Sequence, residues 1–206
     1  MMYNVIGNNC VGAYWYSLNG YQFNNPFIWM LLPYDSLYHC LHKFNTINWN
    51  NFRITESTWY KNTYIITVDN TVHIHYIHYK LNPYATTIRV NRQGAAEESG
   101  WNGNVEYAKI WQYVVDKYKE RTLRMCKNAV NPVFLIREEP LLNNNANYSL
   151  KDIAYSESEY KRIIITQNTS IARNDDMVKV IHIKSFQMPY DAVYNHLAEI
   201  NEYVSK

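Results

Sequence analysis

Val133-Phe134-Leu135-Ile136-Arg137 is the stretch that decides the fold. Four apolar residues in a row leave no polar face, which is the pattern of a strand covered on both sides and belongs to parallel sheets with helices above and below. Further along the chain, Ile163-Ile164-Ile165 and Val178 to Ile183 read as two more strands, with Arg173-Asn174-Asp175-Asp176 as a turn or loop between them. Helical patterns separate these runs. From Val105 to Lys127, Trp111, Val114, Val115, Tyr118 and Met125 fall on one stripe, with Lys117, Lys119, Arg121 and Lys127 mostly off it. Ser149-Leu150-Lys151-Asp152 has the form of a capping box and predicts a helix ending near Tyr160. A last helix, Pro189 to Val204, would bury Val193, Leu197, Ile200 and Val204. Alternating helix and strand predicts a largely parallel sheet with helices on its faces.

The first half reads differently. Tyr3 to Gly7 is a short strand closed by the turn Gly7-Asn8-Asn9. A helix from Cys10 to about Leu18 follows, with Asn9 suited to cap its start and Asn19-Gly20 to stop it. After Asn24-Asn25-Pro26 comes the apolar stretch Phe27 to Leu32, then a helix from Asp35 to Phe44 with Leu37, Leu41 and Phe44 at helical spacing. Ile54 to Trp59, Tyr64 to Val68 and Val72 to Tyr79 read as strands, the last two joined by an Asp69-Asn70 turn. Asn91 to Asn104 is polar and glycine-bearing, a loop. With no repeat and no linker in sight, the expectation is a single α/β domain over residues 1–206, its mixed sheet flanked by helices.

Composition narrows the function classes. Twenty basic against 18 acidic residues, with no basic run, lack the electrostatic footprint of a nucleic-acid binder. No apolar stretch approaches the roughly 18 residues of a membrane span. Cys10, Cys40 and Cys126 are odd in number and far apart, which argues against disulfides or a thiolate zinc site. With no signal sequence read at the N-terminus, a reducing, cytoplasmic setting is expected. The surplus of tyrosine and asparagine fits an AT-rich genome or a functional aromatic surface.

Cys10 stands where a thiol is easiest to activate. The unpaired N–H groups and positive end of a helix start favour thiolate, and the same groups can hold an oxyanion, with Asn8 and Asn9 beside them. Gly12 and Ala13 leave room for a substrate. The alternative is a small buried hydrophobe, the expected role of Cys40 and Cys126. In Thr71 to Tyr79, strand alternation puts Val72, Ile74, Tyr76 and His78 on one face and His73, His75, Ile77 and Tyr79 on the other. His78 ends the core-facing row, placed as a general base for Cys10 or as a core histidine bonded to a carbonyl. His73-x-His75 is two ligands short of a metal site, so no metal and no cofactor are expected. Asn82 or Asp116 is available to orient the base. Arg137, at a strand's carboxyl end, is suited to a carboxylate or phosphate ligand, or to a salt bridge.

Ile6-Gly7-Asn8-Asn9-Cys10-Val11-Gly12-Ala13 and Asn25-Pro26-Phe27-Ile28-Trp29 resemble the opening of an uncharacterised bacterial family described as papain-like cysteine peptidases. A sister family labelled exopolysaccharide biosynthesis proteins shares the Asn-Asn-Cys opening and the Pro-Phe. The likeness continues at Ile77-His78-Tyr79, at Lys117 to Arg121 and at Val133 to Arg137. It implies a papain-like arrangement, Cys10 opening a helix and His78 on a strand, in a thiol-dependent hydrolase or acyltransferase acting on a small-molecule, peptide or glycan substrate. The sister family implies instead a protein of surface-glycan assembly that binds a sugar or sugar nucleotide. The chain departs from papain-like enzymes in having no glutamine shortly before the cysteine; Asn4, Asn8 and Asn9 stand there.

Overall fold

The structure is a computed structural model and describes residues 3–28, 30–56, 64–76, 89–90, 96–97, 107–127, 131–139 and 146–206. Four parallel strands form one sheet in the order β1-β7-β8-β9: β1 Val5–Gly7, β7 Val133–Arg137, β8 Arg162–Thr166 and β9 Val178–His182. The apolar runs lie in it as expected, for Phe134 to Ile136 and Ile163 to Ile165 are fully buried. A separate antiparallel sheet, β2 Phe52–Glu56, β3 Tyr64–Val68 and β4 Val72–Tyr76, holds the first-half strands. Among the described residues the fold is therefore α/β with two main sheets, where one mixed sheet was expected. Asp69 and Asn70 turn β3 into β4 with φ of 49° and 56°, the positive angles that Asp and Asn tolerate best after glycine. Arg89–Val90 (β5) and Ala96–Glu97 (β6) pair antiparallel within and before the expected loop, whose other residues, 91–95 and 98–104, lie outside those described.

The helices are α1 Val11–Leu18, α2 Tyr34–Lys43, α3 Tyr107–Lys127, α4 Leu150–Tyr155, α5 Pro189–Tyr194 and α6 Leu197–Ser205. The capping box at α4 is present: Ser149 Oγ accepts from the Asp152 N–H, and the Asp152 carboxylate accepts from the Ser149 N–H. The helix stops at Tyr155 rather than near Tyr160 because two arginines consume its last carbonyls. Arg162 donates to Ile153 O and Ser156 O, and Arg173 to Ala154 O and Ser156 O. Cationic groups at a helix C-terminus meet the negative end of its dipole, which is how Arg162 can be fully buried on β8. The single last helix expected from Pro189 to Val204 is two helices, broken at Asn195 and His196.

On α3, Val114, Tyr118 and Met125 are buried as the stripe predicts. Two residues depart from it. Arg121 is buried, its Nη1 3.4 Å from Ile28 O and its guanidinium 5.8 Å from the Phe23 ring centre. Cys126, expected in the core, is exposed, lying one residue past the buried Met125 and so turned about 100° away. Cys40 is buried, and burial pushes its thiol far above the ordinary range.

Candidate active site

The turn after β1 is built by close packing. A Cβ at Gly7 would lie 2.4 Å from the Gly12 nitrogen, and one at Gly12 would lie 2.8 Å from the Gly7 nitrogen. Backbone thus rests on backbone where α1 folds against β1. The smallness of Gly12, expected with that of Ala13 to leave substrate room, is used for this packing, and both residues are buried.

Asn8 and Asn9 divide the remaining work. Asn8 Nδ2 donates to Arg137 O at 2.9 Å, and its Oδ1 accepts from the Arg137 N–H at 2.9 Å. The side chain mimics a backbone and extends the β1–β7 ladder one residue past the strand. Asn9 Oδ1 accepts from the Val11 N–H at 3.0 Å, so Asn9 supplies the cap while Cys10 occupies the cap position with helical dihedrals. Because Val11 N–H can only donate, this bond fixes which end of the Asn9 amide is nitrogen. Asn9 is 3% exposed, and its Nδ2 is buried with no hydrogen-bond partner among the described residues. A buried donor left unmade costs about 1–3 kcal/mol, which makes it a position to explain.

Cys10 is 6% exposed, at the first turn of α1 and the carboxyl end of a parallel strand, where open α/β sheets place ligands. Tyr14 lies four residues on, its N–H donating to Cys10 O at 3.0 Å, so the two side chains share a helix face. Its phenol is pushed above the ordinary range by burial first, then by its nearness to Cys10 and Asp191, whose ionised forms would repel a phenolate. Helix α5 forms the neighbouring wall: Tyr190 meets the Tyr14 ring edge-on at 5.4 Å and 82°. Sequence reasoning missed Tyr14, although its i, i+4 spacing from Cys10 was visible. It also missed Tyr190 and Asp191, for which no local pattern announces the contact.

Arg137 stands at the end of β7, 1% exposed, and its guanidinium has partners inside the chain. Nε and Nη2 donate to Gln187 O at 2.9 and 2.7 Å, Nη1 pairs with the Glu139 carboxylate at 2.8 Å, and the Phe186 ring centre lies 4.3 Å away. It thereby pins the segment leading into α5. Of the two sequence readings, the contacts present are those of a salt bridge, buried instead of on the surface.

His78 and Asn82 lie outside the described residues. Asp116 is exposed on α3, where it accepts from Gln112 Nε2 at 2.8 Å. Val72 and Ile74 face the core as expected and His73 is exposed, but His75 is 6% exposed. Leu31 pairs with it at the edge of β4 through two main-chain bonds, N–H to O at 2.9 Å and 2.8 Å, and the face expected to be open is buried at this position. Burial, helped by His73, lowers its pKa to about 4. Among the described residues no three His, Cys, Asp or Glu side chains are grouped to hold a metal. Among them too, no helix is long and apolar enough to cross a membrane.

Residues 2–93, a little under half of the chain, are similar to a domain of unknown function, DUF1919. The matched stretch contains Asn8, Asn9, Cys10, His78 and Asn82 and ends before Arg137. It agrees with the expectation of an uncharacterised family, and its description carries neither a peptidase nor an exopolysaccharide activity. No curated protein matches the chain.

Proposed function

We propose that the chain is a thiol-dependent hydrolase or acyltransferase with Cys10 as nucleophile. The observation that carries the reading is the buried Asn9 Nδ2, partnerless beside a cysteine that opens a helix. The Cys10 thiolate attacks a substrate carbonyl carbon, and the carbonyl electron pair moves onto oxygen. Asn9 Nδ2–H and the opening N–H groups of α1 then hold the oxyanion. Collapse expels the leaving group, which takes the proton that the base, assigned from sequence to His78, removed from the thiol. Water or an acceptor nucleophile cleaves the thioester and regenerates Cys10.

The test is the alkylation rate of Cys10 by iodoacetamide between about pH 4 and 9, spanning known thiol shifts, read by peptide mass spectrometry. Cys126 serves as the exposed thiol and Cys40 as the buried one. At pH 6 Cys10 is expected to react faster than Cys126 although it is the more buried, and His78→Ala is expected to remove that advantage. Cys10 reacting more slowly than Cys126 at every pH would overturn the proposal.

A second reading, a sugar- or sugar-nucleotide-binding protein of surface-glycan assembly, is favoured by the exposed rings of Phe186, Tyr190 and Tyr194 near the carboxyl ends of the parallel strands. Such rings stack on sugar faces. It predicts saturable binding of a sugar nucleotide by a chain whose Cys10 is inert.

A further inference from the structure

Near Cys10, three rings and a carboxylate are mounted on α1 and α5. Tyr190 and Tyr194, one turn apart on α5, lie nearly parallel at 5.7 Å and 12°, and are 42% and 59% exposed. Tyr14 meets Tyr190 from α1 and shares its helix face with Cys10. Asp191, in the first turn of α5, is exposed and has no ion-pair partner among the described residues. The mounting is rigid, because Ala192 and Val193 are fully buried on the other side of α5 and Arg137 holds Gln187 just before it.

We propose that Tyr14, Tyr190, Tyr194 and Asp191 form a recognition site for an alkylammonium group, carried by the substrate on which Cys10 acts. The assignment rests on the thiol reading for its position and on charge complementarity for its chemistry. Aromatic faces present the negative lobe of their quadrupole and attract cations. A carboxylate in the same turn repels anions and offers nothing to a neutral alkyl group. Three rings and one carboxylate fixed on two packed helices select a cation before it arrives.

The test uses the full chain and two probes, choline and 3,3-dimethylbutanol, its neutral isostere, titrated by calorimetry. Choline is expected to bind about tenfold more tightly than the isostere, the factor that one desolvated cation–π and charge contact supplies. Asp191→Asn and Tyr194→Leu, both surface changes, are expected to erase most of that ratio. Equal binding of the two probes, or no binding of choline, overturns the proposal. In parallel, Cys10 is modified with a cationic and with an anionic methanethiosulfonate reagent, each rate normalised to free cysteine. A preference for the cation that falls in Asp191→Asn supports the placement beside Cys10; no such preference at a reactive Cys10 overturns it. A Cys10 inert to both reagents, in a chain that still selects choline, refutes the thiol reading and leaves the ammonium site standing.

Discussion

Replacing Gly7 by alanine tests the packing that positions Cys10. The new methyl would sit 2.4 Å from Gly12 N, 2.8 Å from Gly12 Cα and 2.9 Å from Asn9 O. All three are backbone atoms, so no side chain can swing aside. Relief requires α1 to move off β1 by about 1 Å, the shortfall from ordinary contact, and Val11 and Trp15, buried on α1, must move with it. Overpacking costs about 1–3 kcal/mol where the neighbours can adjust. Here they cannot, and about 3 kcal/mol or more is expected. Gly20→Ala is the control. Gly20 has φ of +68° but nothing within 4 Å of a Cβ, so the variant bears only the left-handed strain of about 1–2 kcal/mol. Both variants lose one glycine, so the effect on the unfolded chain cancels. At roughly 2–4 °C of Tm per kcal/mol for a chain this long, Gly7→Ala should lose about 6–12 °C or more and Gly20→Ala about 2–8 °C. Gly12→Ala, at 2.8 and 3.0 Å from Gly7 atoms, opens the same gap, so the double variant Gly7→Ala/Gly12→Ala should cost about 1 kcal/mol less than the two singles together. Differential scanning fluorimetry gives the ranking and urea titration the cycle. A Gly7→Ala protein as stable as Gly20→Ala, or strict additivity in the double variant, would refute the reasoning.

Two further outcomes follow from buried polar groups. Asn8→Ala strands both the N–H and the carbonyl of Arg137 and should cost about 2–6 kcal/mol by urea titration, at about 1–3 kcal/mol per unmet group; a loss below about 1 kcal/mol would mean water replaces the side chain. His75 has a folded pKa of about 4 against an ordinary 6.5, so between those values the unfolded chain binds a proton that the folded chain does not. Its contribution is present in full above about pH 6.5 and is lost as pH falls toward 4, about 2–3 kcal/mol between pH 7.5 and 4.5. His75→Gln should flatten the stability profile in that window, and an unchanged slope would show that the imidazole is solvated.

The two central strands of the parallel sheet, β7 and β8, were legible because continuous apolar runs report two-sided burial directly. The α4 cap was legible because Ser149 and Asp152 satisfy each other within one turn. What periodicity could not show was burial set by distant parts of the chain. Val72 and Ile74 alternate with His73 as a half-covered strand should, yet His75 is buried, and Leu31, more than 40 residues away, pairs with it at the edge of β4. Likewise Val193, Leu197, Ile200 and Val204 keep helical spacing through Asn195 and His196, so the break between α5 and α6 left no mark in the pattern. The surplus of asparagine was read as composition and Asn8 and Asn9 as neighbours of the cysteine, but five asparagines, Asn4, Asn8, Asn9, Asn24 and Asn25, are buried around β1. Cys10 was visible by its position after a strand and before a helix, whereas the α5 wall depends on a contact spanning most of the chain.

Those asparagines also explain how a three-residue edge strand can hold a rigid turn. β1 has a strand neighbour, β7, on one side. On its other side Val5 N–H donates to the Tyr16 hydroxyl at 3.0 Å, Asn25 Nδ2 donates to Val5 O at 2.9 Å, and Leu32 N–H donates to Asn8 O at 2.8 Å. Side chains and one loop amide thus take the place of a missing strand, which satisfies the edge without extending the sheet. Leu31 bonds to His75 of β4 while the next residue, Leu32, bonds to Asn8, so one peptide unit ties the antiparallel sheet to the turn that carries Cys10. The Asn25-Pro26-Phe27 segment is therefore part of the scaffold of the cysteine: the Asn25 amide nitrogen seats it on β1 and its Oδ1 turns the chain by accepting the Phe27 N–H at 3.1 Å.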